Sequence, residues 1–183
     1  SFNITLWHYI RDMIARAPFG FSWERITFTH FHGFCKDKLN KFDTKWPKSP
    51  QRQNFGNNED YEKALDYFFQ TTVPNTVRET LEEKQYDKYD AILIDEGQDY
   101  HYDWYSLLND LFLKERDELL VVSDKKQNIY DRQLDWVDKR VTTSGLDKFK
   151  DPYIDLTSSF RMPAKVADMS NEFSDQFDLN QEL

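Results

Sequence analysis

Cysteine is almost missing from this chain: Cys35 stands alone among 183 residues. No internal disulfide can form, so a reducing, cytoplasmic setting is expected. Long apolar runs are missing too. The longest, Ala91–Ile94 and Leu119–Val122, hold four residues each, far short of the twenty or so that a membrane-spanning helix needs. Glycine occurs five times, as Gly20, Gly33, Gly56, Gly97 and Gly145, and none of these precedes a lysine. A Gly-x-x-x-x-Gly-Lys-Ser/Thr loop, whose backbone N–H groups would cradle phosphates, is therefore not in the chain. Basic residues are in deficit, 24 Lys and Arg against 33 Asp and Glu, for a net charge of -9. That balance argues against a protein that coats nucleic acid indiscriminately and leaves room for a local groove. Ser1-Phe2-Asn3 lacks the basic-then-apolar layout of a targeting peptide and reads as a cut or processed end.

The residues that are present alternate between two periodicities. Ile26–Phe31, Ala91–Asp95, Leu119–Ser123 and Tyr153–Thr157 read as short strands, the second and third apolar enough to be buried on both faces of a parallel sheet. Helical spacing joins Leu6, Ile10, Met13, Ile14 and Ala17, and again Tyr61, Leu65, Phe68 and Phe69. Thr76-x-x-Glu79 has the form of a capping box ahead of Leu81. Asp103 is placed to cap a helix carrying Trp104, Leu107, Leu108, Leu111 and Phe112, and Pro163 to open a last helix with Val166, Ala167, Met169 and Phe173. Strands alternating with helices predict an α/β fold. Residues 36–58 differ, with Pro47, Pro50, Gly56, clustered lysines and few aliphatics. With the helices that follow, they read as an insertion between the first two strands, longer than an ordinary connection.

Chemistry concentrates where strands end. Ala91–Ile94 runs into Asp95-Glu96-Gly97-Gln98-Asp99, which sets carboxylates at the C-terminal edge of a parallel sheet, where α/β folds bind ligands. One acid there can hold Mg2+ beside nucleotide phosphates, and the next can deprotonate an attacking water. The plainer alternative is a buried strand meeting a solvated turn, which the longer acid-acid-x-Gln-acid pattern makes less sufficient. The next strand ends at Ser123-Asp124 and continues Lys125-Lys126-Gln127-Asn128-Ile129-Tyr130, where Gln127 could bond a terminal phosphate or sit in a surface turn. The fourth ends at Ser159-Phe160-Arg161. Arg161 suits a bidentate phosphate contact, and Phe160 suits base stacking or the core.

Three such strand ends in this order resemble the superfamily 1 helicases of the UvrD/Rep type. Asp95–Asp99 is similar to motif II (DExQD), Asp124–Tyr130 to motif III (GDxxQSIY) and Phe160-Arg161 to motif IV (NYR). His30-Phe31-His32-Gly33-Phe34-Cys35 is similar to the TFHSFC segment of motif Ib. The resemblance implies a RecA-like parallel sheet flanked by helices, incomplete because its phosphate-loop strand is missing, with a mostly helical insertion. Residues 1–35 and 89–152 would form part of domain 1A, 36–88 an insertion resembling subdomain 1B, and 153–183 the start of domain 2A. It further implies that Asp95 coordinates Mg2+, Glu96 activates the water that attacks the γ-phosphate, and Gln127 couples that phosphate to the DNA-binding surface. Arg161 would contact the same phosphate, Phe160 would replace the Tyr that stacks on adenine, and Asp124 would line the nucleotide site. Ser123 and Ser159 depart mildly from the pattern. Arg132 stands where an aromatic base-stacking residue is often found, with Trp136 farther along.

The implied parent is an ATP-dependent DNA helicase, using ATP and Mg2+, that moves on single-stranded DNA. The chain alone is expected to be inactive and to bind neither ligand tightly. The same motor could serve a helicase-nuclease or a defence-system helicase. A degenerate, non-catalytic nucleic-acid-binding module is the third possibility. Candidate DNA contacts are His32, Tyr130, Trp136, Lys41 and Trp46. Between Lys36 and Arg52, six basic residues face two acids, with Phe42 and Trp46 among them. This mixture suits phosphate attraction with base stacking, or a solvated loop anchored by two aromatics. His30, His32 and Cys35 lie too close together, with no second cluster, to make a zinc site; packing or DNA-backbone contact is expected of them.

Overall fold

The computed structural model describes residues 4–123 and 163–177. The chain divides into two compact units, Ser1–Phe149 and Lys150–Leu183. In the first, helix α1 (Ile4–Ala15) is followed by a 3-10 turn at Trp23–Arg25 and helix α2 (Phe31–Lys41). Helices α3 (Asn58–Tyr67) and α4 (Val73–Leu81) are joined without a break by a π-helical turn at Phe68–Thr72. Strand β1 (Tyr89–Ile94) then leads through helix α5 (Tyr102–Leu107) and a second π turn, Leu108–Phe112, into strand β2 (Leu113–Val121). In the second unit, helix α6 spans Ala164–Gln176 behind Pro163, which sits at its N-cap position.

β1 and β2 pair in parallel, Ala91 opposite Glu118 and Ile94 opposite Val121, with an irregularity between Tyr89 and Ala91. A parallel pair needs a crossover, and α5 supplies it, so the core of this unit is a β-α-β motif of the α/β class. Side chains alternate across the sheet. Ile94 is buried, and Ile92, Leu119 and Val121 pack beside it against the helices. The core is completed by Phe31, Phe34, Cys35 and Leu39 of α2, Val73, Val77 and Leu81 of α4, and Trp104, Tyr105 and Leu107 of α5. In α2 and α4 these residues recur every three or four positions, which is what makes one face of each helix apolar.

Several expectations change. Leu93 is 72% exposed and Leu120 54%, so β1 and β2 are buried on one face rather than both within the described residues of this unit. Ile26–Phe31 is not a strand. Ile26 follows the 3-10 turn, His30 is extended at φ -101°, and Phe31 opens α2. Phe31, Phe34 and Cys35 bury a common face only if the chain turns helical there, and that gain outweighs the local β propensity. β2 begins at Leu113 rather than Leu119, its early charged residues hiding the strand pattern. Thr76 opens no helix: it lies inside α4, and its Oγ1 donates to the Thr72 carbonyl at 2.8 Å. Asp103 lies in the first turn of α5, whose N-cap is His101, and accepts a bond from Thr71 Oγ1 at 3.2 Å. Ala17 lies just past the end of α1. The strand expected at 153–157 falls outside the described residues.

Candidate functional site

β1 carries its apolar side chains up to the buried Ile94, and the chain then turns sharply. Asp95 is exposed at the sheet edge and Glu96 is partly buried. Glu96 is held at φ 54°, ψ 51°, a left-handed conformation uncommon for a residue with a side chain. A 3-10 turn, Gly97–Asp99, follows, with the Asp99 N–H donating to the Glu96 carbonyl at 2.9 Å and that of Tyr100 to the Gly97 carbonyl at 3.0 Å.

This acidic turn is tied to the end of β2. The Val122 N–H donates to the Ile94 carbonyl at 2.8 Å, and the Gly97 N–H donates to the Val122 carbonyl at 2.7 Å. The approach is close enough that a Cβ on Gly97 would stand 2.7 Å from Val121 Cγ1 and 3.2 Å from the Val122 oxygen. Glycine is required here for space. The acidic turn at Asp95-Glu96 and the end of the next strand at Val122-Ser123 are thus one structural feature. Ser123 Oγ is enclosed there with no hydrogen-bond partner among the described residues.

Side chains complete the turn. Gln98, 2% exposed, donates from Nε2 to Glu96 Oε2 at 2.6 Å. Tyr100 follows, its phenol pushed up to about 12 by burial first and then by the charge of Asp95. Cys35 is fully buried, and burial drives its thiol well above the ordinary range, the reverse of what a nucleophile needs. The sequence marks Asp95 and Glu96 and gives no separate part to Gln98 or Tyr100. The polar Gln inside the acid motif was the available signal.

The expected DNA contacts occupy different surroundings. The ring of His32 sits 4.7 Å from those of Phe69 and Trp104 and 5.4 Å from that of Phe31. Phe31 and Trp104 stack at 4.6 Å, and each meets Tyr100, so this aromatic cluster supports the acidic turn from below. Trp46 is half-buried against the core, 6.4 Å from Phe68. Lys41 is exposed and pairs with Asp87 at 3.1 Å. Of the other basic residues there, Lys38 donates to Tyr89 Oη at 3.0 Å and Arg52 to Asn58 Oδ1 at 2.8 Å. Lys36, Lys45 and Lys48 are exposed. Among the described residues no three His, Cys, Asp or Glu side chains are grouped to hold a metal ion. Asp124, Gln127, Tyr130, Trp136, Phe160 and Arg161 lie outside the described residues.

A family model described as the UvrD/REP helicase N-terminal domain matches residues 40–133, just over half of the chain and inclusive of the acidic turn. No curated protein and no solved structure matches the chain.

Proposed function

Because the chain belongs to the UvrD/REP helicase N-terminal domain family, we propose that it is part of an ATP-dependent DNA helicase, with the acidic turn after β1 as one wall of the nucleotide site. The observation that carries this reading is the turn itself: two adjacent carboxylates at the C-terminal edge of a parallel β-α-β unit, bonded to the next strand end. Ligands of α/β sheets collect at that edge, where diverging connections leave a crevice. The fold is then RecA-like. Residues 1–35 and 89–152 belong to its first motor domain, 36–88 form an insertion, and 153–183 begin the second motor domain.

Asp95, exposed at the strand end, fits a Mg2+ ligand, since that ion keeps several waters and takes one or two carboxylates alongside substrate phosphates. Bound there, the ion would neutralise charge on the β- and γ-phosphates. Glu96 would accept the proton of the attacking water, and Gln127 and Arg161 are assigned to the γ-phosphate by the family motifs they resemble. Asp124 and Phe160 are assigned to the nucleotide on the same resemblance. DNA, in single-stranded form, is drawn by the exposed Lys36, Lys45 and Lys48 through phosphate attraction, and Lys41, His32, Trp46, Tyr130 and Trp136 are proposed as further contacts.

The test belongs in the longer protein that supplies a phosphate loop, because the 183 residues contain none. Glu96→Gln keeps the side-chain shape and removes the base. ATP turnover is expected to fall by at least about 100-fold, with ATP binding retained. Turnover near the wild-type rate would refute the assignment. The 183-residue chain serves as the control and is expected to hydrolyse no ATP.

A further inference from the structure

Gln98 is the most deeply buried polar side chain of the acidic turn, at 2% exposure, and its carboxamide donates to Glu96 Oε2 at 2.6 Å. Both residues are held by backbone contacts. Glu96 is fixed in the left-handed region, the Gly97–Asp99 turn closes on its carbonyl, and Gly97 is bonded to Val122. A buried amide in a fixed turn can hold one carboxylate oxygen in place, leaving the other to meet a ligand. It does so without adding a charge to the site. A core filler at position 98 would need no polar atoms, and burying an amide is costly unless its bonds are made. The short bond is made to the neighbouring carboxylate.

We propose that Gln98 is a positioning residue that orients the Glu96 carboxylate toward the attacking water. This rests on the reading of Glu96 as the base. The reach of a general base is narrow, and a displacement near 1 Å is felt in the rate.

The experiment is a double-mutant cycle in the longer protein, followed with radiolabelled ATP so that low rates are measurable. The four proteins are the wild type, Glu96→Gln, Gln98→Met and the double variant. Methionine keeps the length of the side chain and removes the donor. Gln98→Met is expected to lower kcat by roughly 10- to 100-fold, with KM for ATP within about twofold of wild type. On the Glu96→Gln background the same change is expected to cost nothing further, since the group it positions has lost its base. If Gln98→Met does not fold, Gln98→Asn retains an amide one methylene too short and is expected to show the same kcat loss. Wild-type kcat in the variant that folds, a loss confined to KM, or an equal loss on both backgrounds would overturn the proposal and leave Glu96 as the base. Full turnover in Glu96→Gln would instead overturn both.

Discussion

At the scale of single residues, the acidic turn joins strain to close packing. Glu96 adopts a backbone conformation that glycine takes more easily, while the neighbouring Gly97 is needed for space. Adding one methyl at position 97 pushes on Val121 Cγ1 and on the Val122 carbonyl oxygen just past β2, neither of which can swing aside cheaply. Gly97→Ala is therefore expected to lower stability by about 1–3 kcal/mol, the usual cost of overpacking, read as a shift in the urea midpoint. An unchanged midpoint would mean that the end of β2 is not clamped to the turn. The acids themselves were legible in the sequence, because an apolar run followed by Asp-Glu describes a strand end whatever surrounds it. Gln98 was not. Whether a polar side chain turns inward depends on what its neighbours leave open, and no local pattern reports that.

Elements follow their sequence signals where the signal is local. Asn57 caps α3, its Oδ1 accepting from the Asp60 N–H at 2.8 Å. Asn57→Ala is expected to cost about 1 kcal/mol and Asn57→Gly only a few tenths, measured by thermal or chemical denaturation. Equal losses in both variants would mean that the cap is not what matters there. Elsewhere packing overrides the local reading. The Thr76-x-x-Glu79 pattern suggests a fresh start, yet the helix runs from Asn58 to Leu81 with a π turn just ahead of the buried Pro74. A π turn shifts the hydrogen-bond ladder at that point, next to a residue that has no N–H to give. Ile26–Phe31 misled in the other sense: β-branched and aromatic residues favour a strand, but a strand needs a ladder partner, and Phe31 gains more from the helical face it shares with Phe34 and Cys35.

Across the whole molecule, charge and burial redistribute what composition only totals. The basic stretch from Lys36 to Arg52 divides between residues committed to the fold, such as Lys38 on Tyr89, and the exposed Lys36, Lys45 and Lys48. Burial also makes the fold sensitive to alkali. Cys35 and Tyr100 both hold their protons more tightly in the folded chain than at their ordinary values of 9.0 and 10.0. A group raised on folding contributes stability that is intact below its unfolded value and lost as pH climbs past it. The unfolding free energy is thus expected to fall from pH 9 upward, by at most about 1.4 kcal/mol per pH unit for each group. Tyr100→Phe should flatten the part of that slope above pH 10, checked by urea denaturation across pH 8 to 11. An identical slope in the variant would exclude Tyr100 as a source. What the sequence by itself determined was the strand-helix-strand order of residues 89–121, the acids at a strand end and the want of a phosphate loop, since each is written in contiguous residues. Only the tertiary structure decided that Ile26–His30 forms no strand and Phe31 opens a helix, that one sheet face stays exposed among the described residues, and that Gly97 ties the acidic turn to the end of β2 while Gln98 holds Glu96. Those outcomes depend on which distant surfaces meet, and burial there outweighs the fraction of a kilocalorie that separates local alternatives.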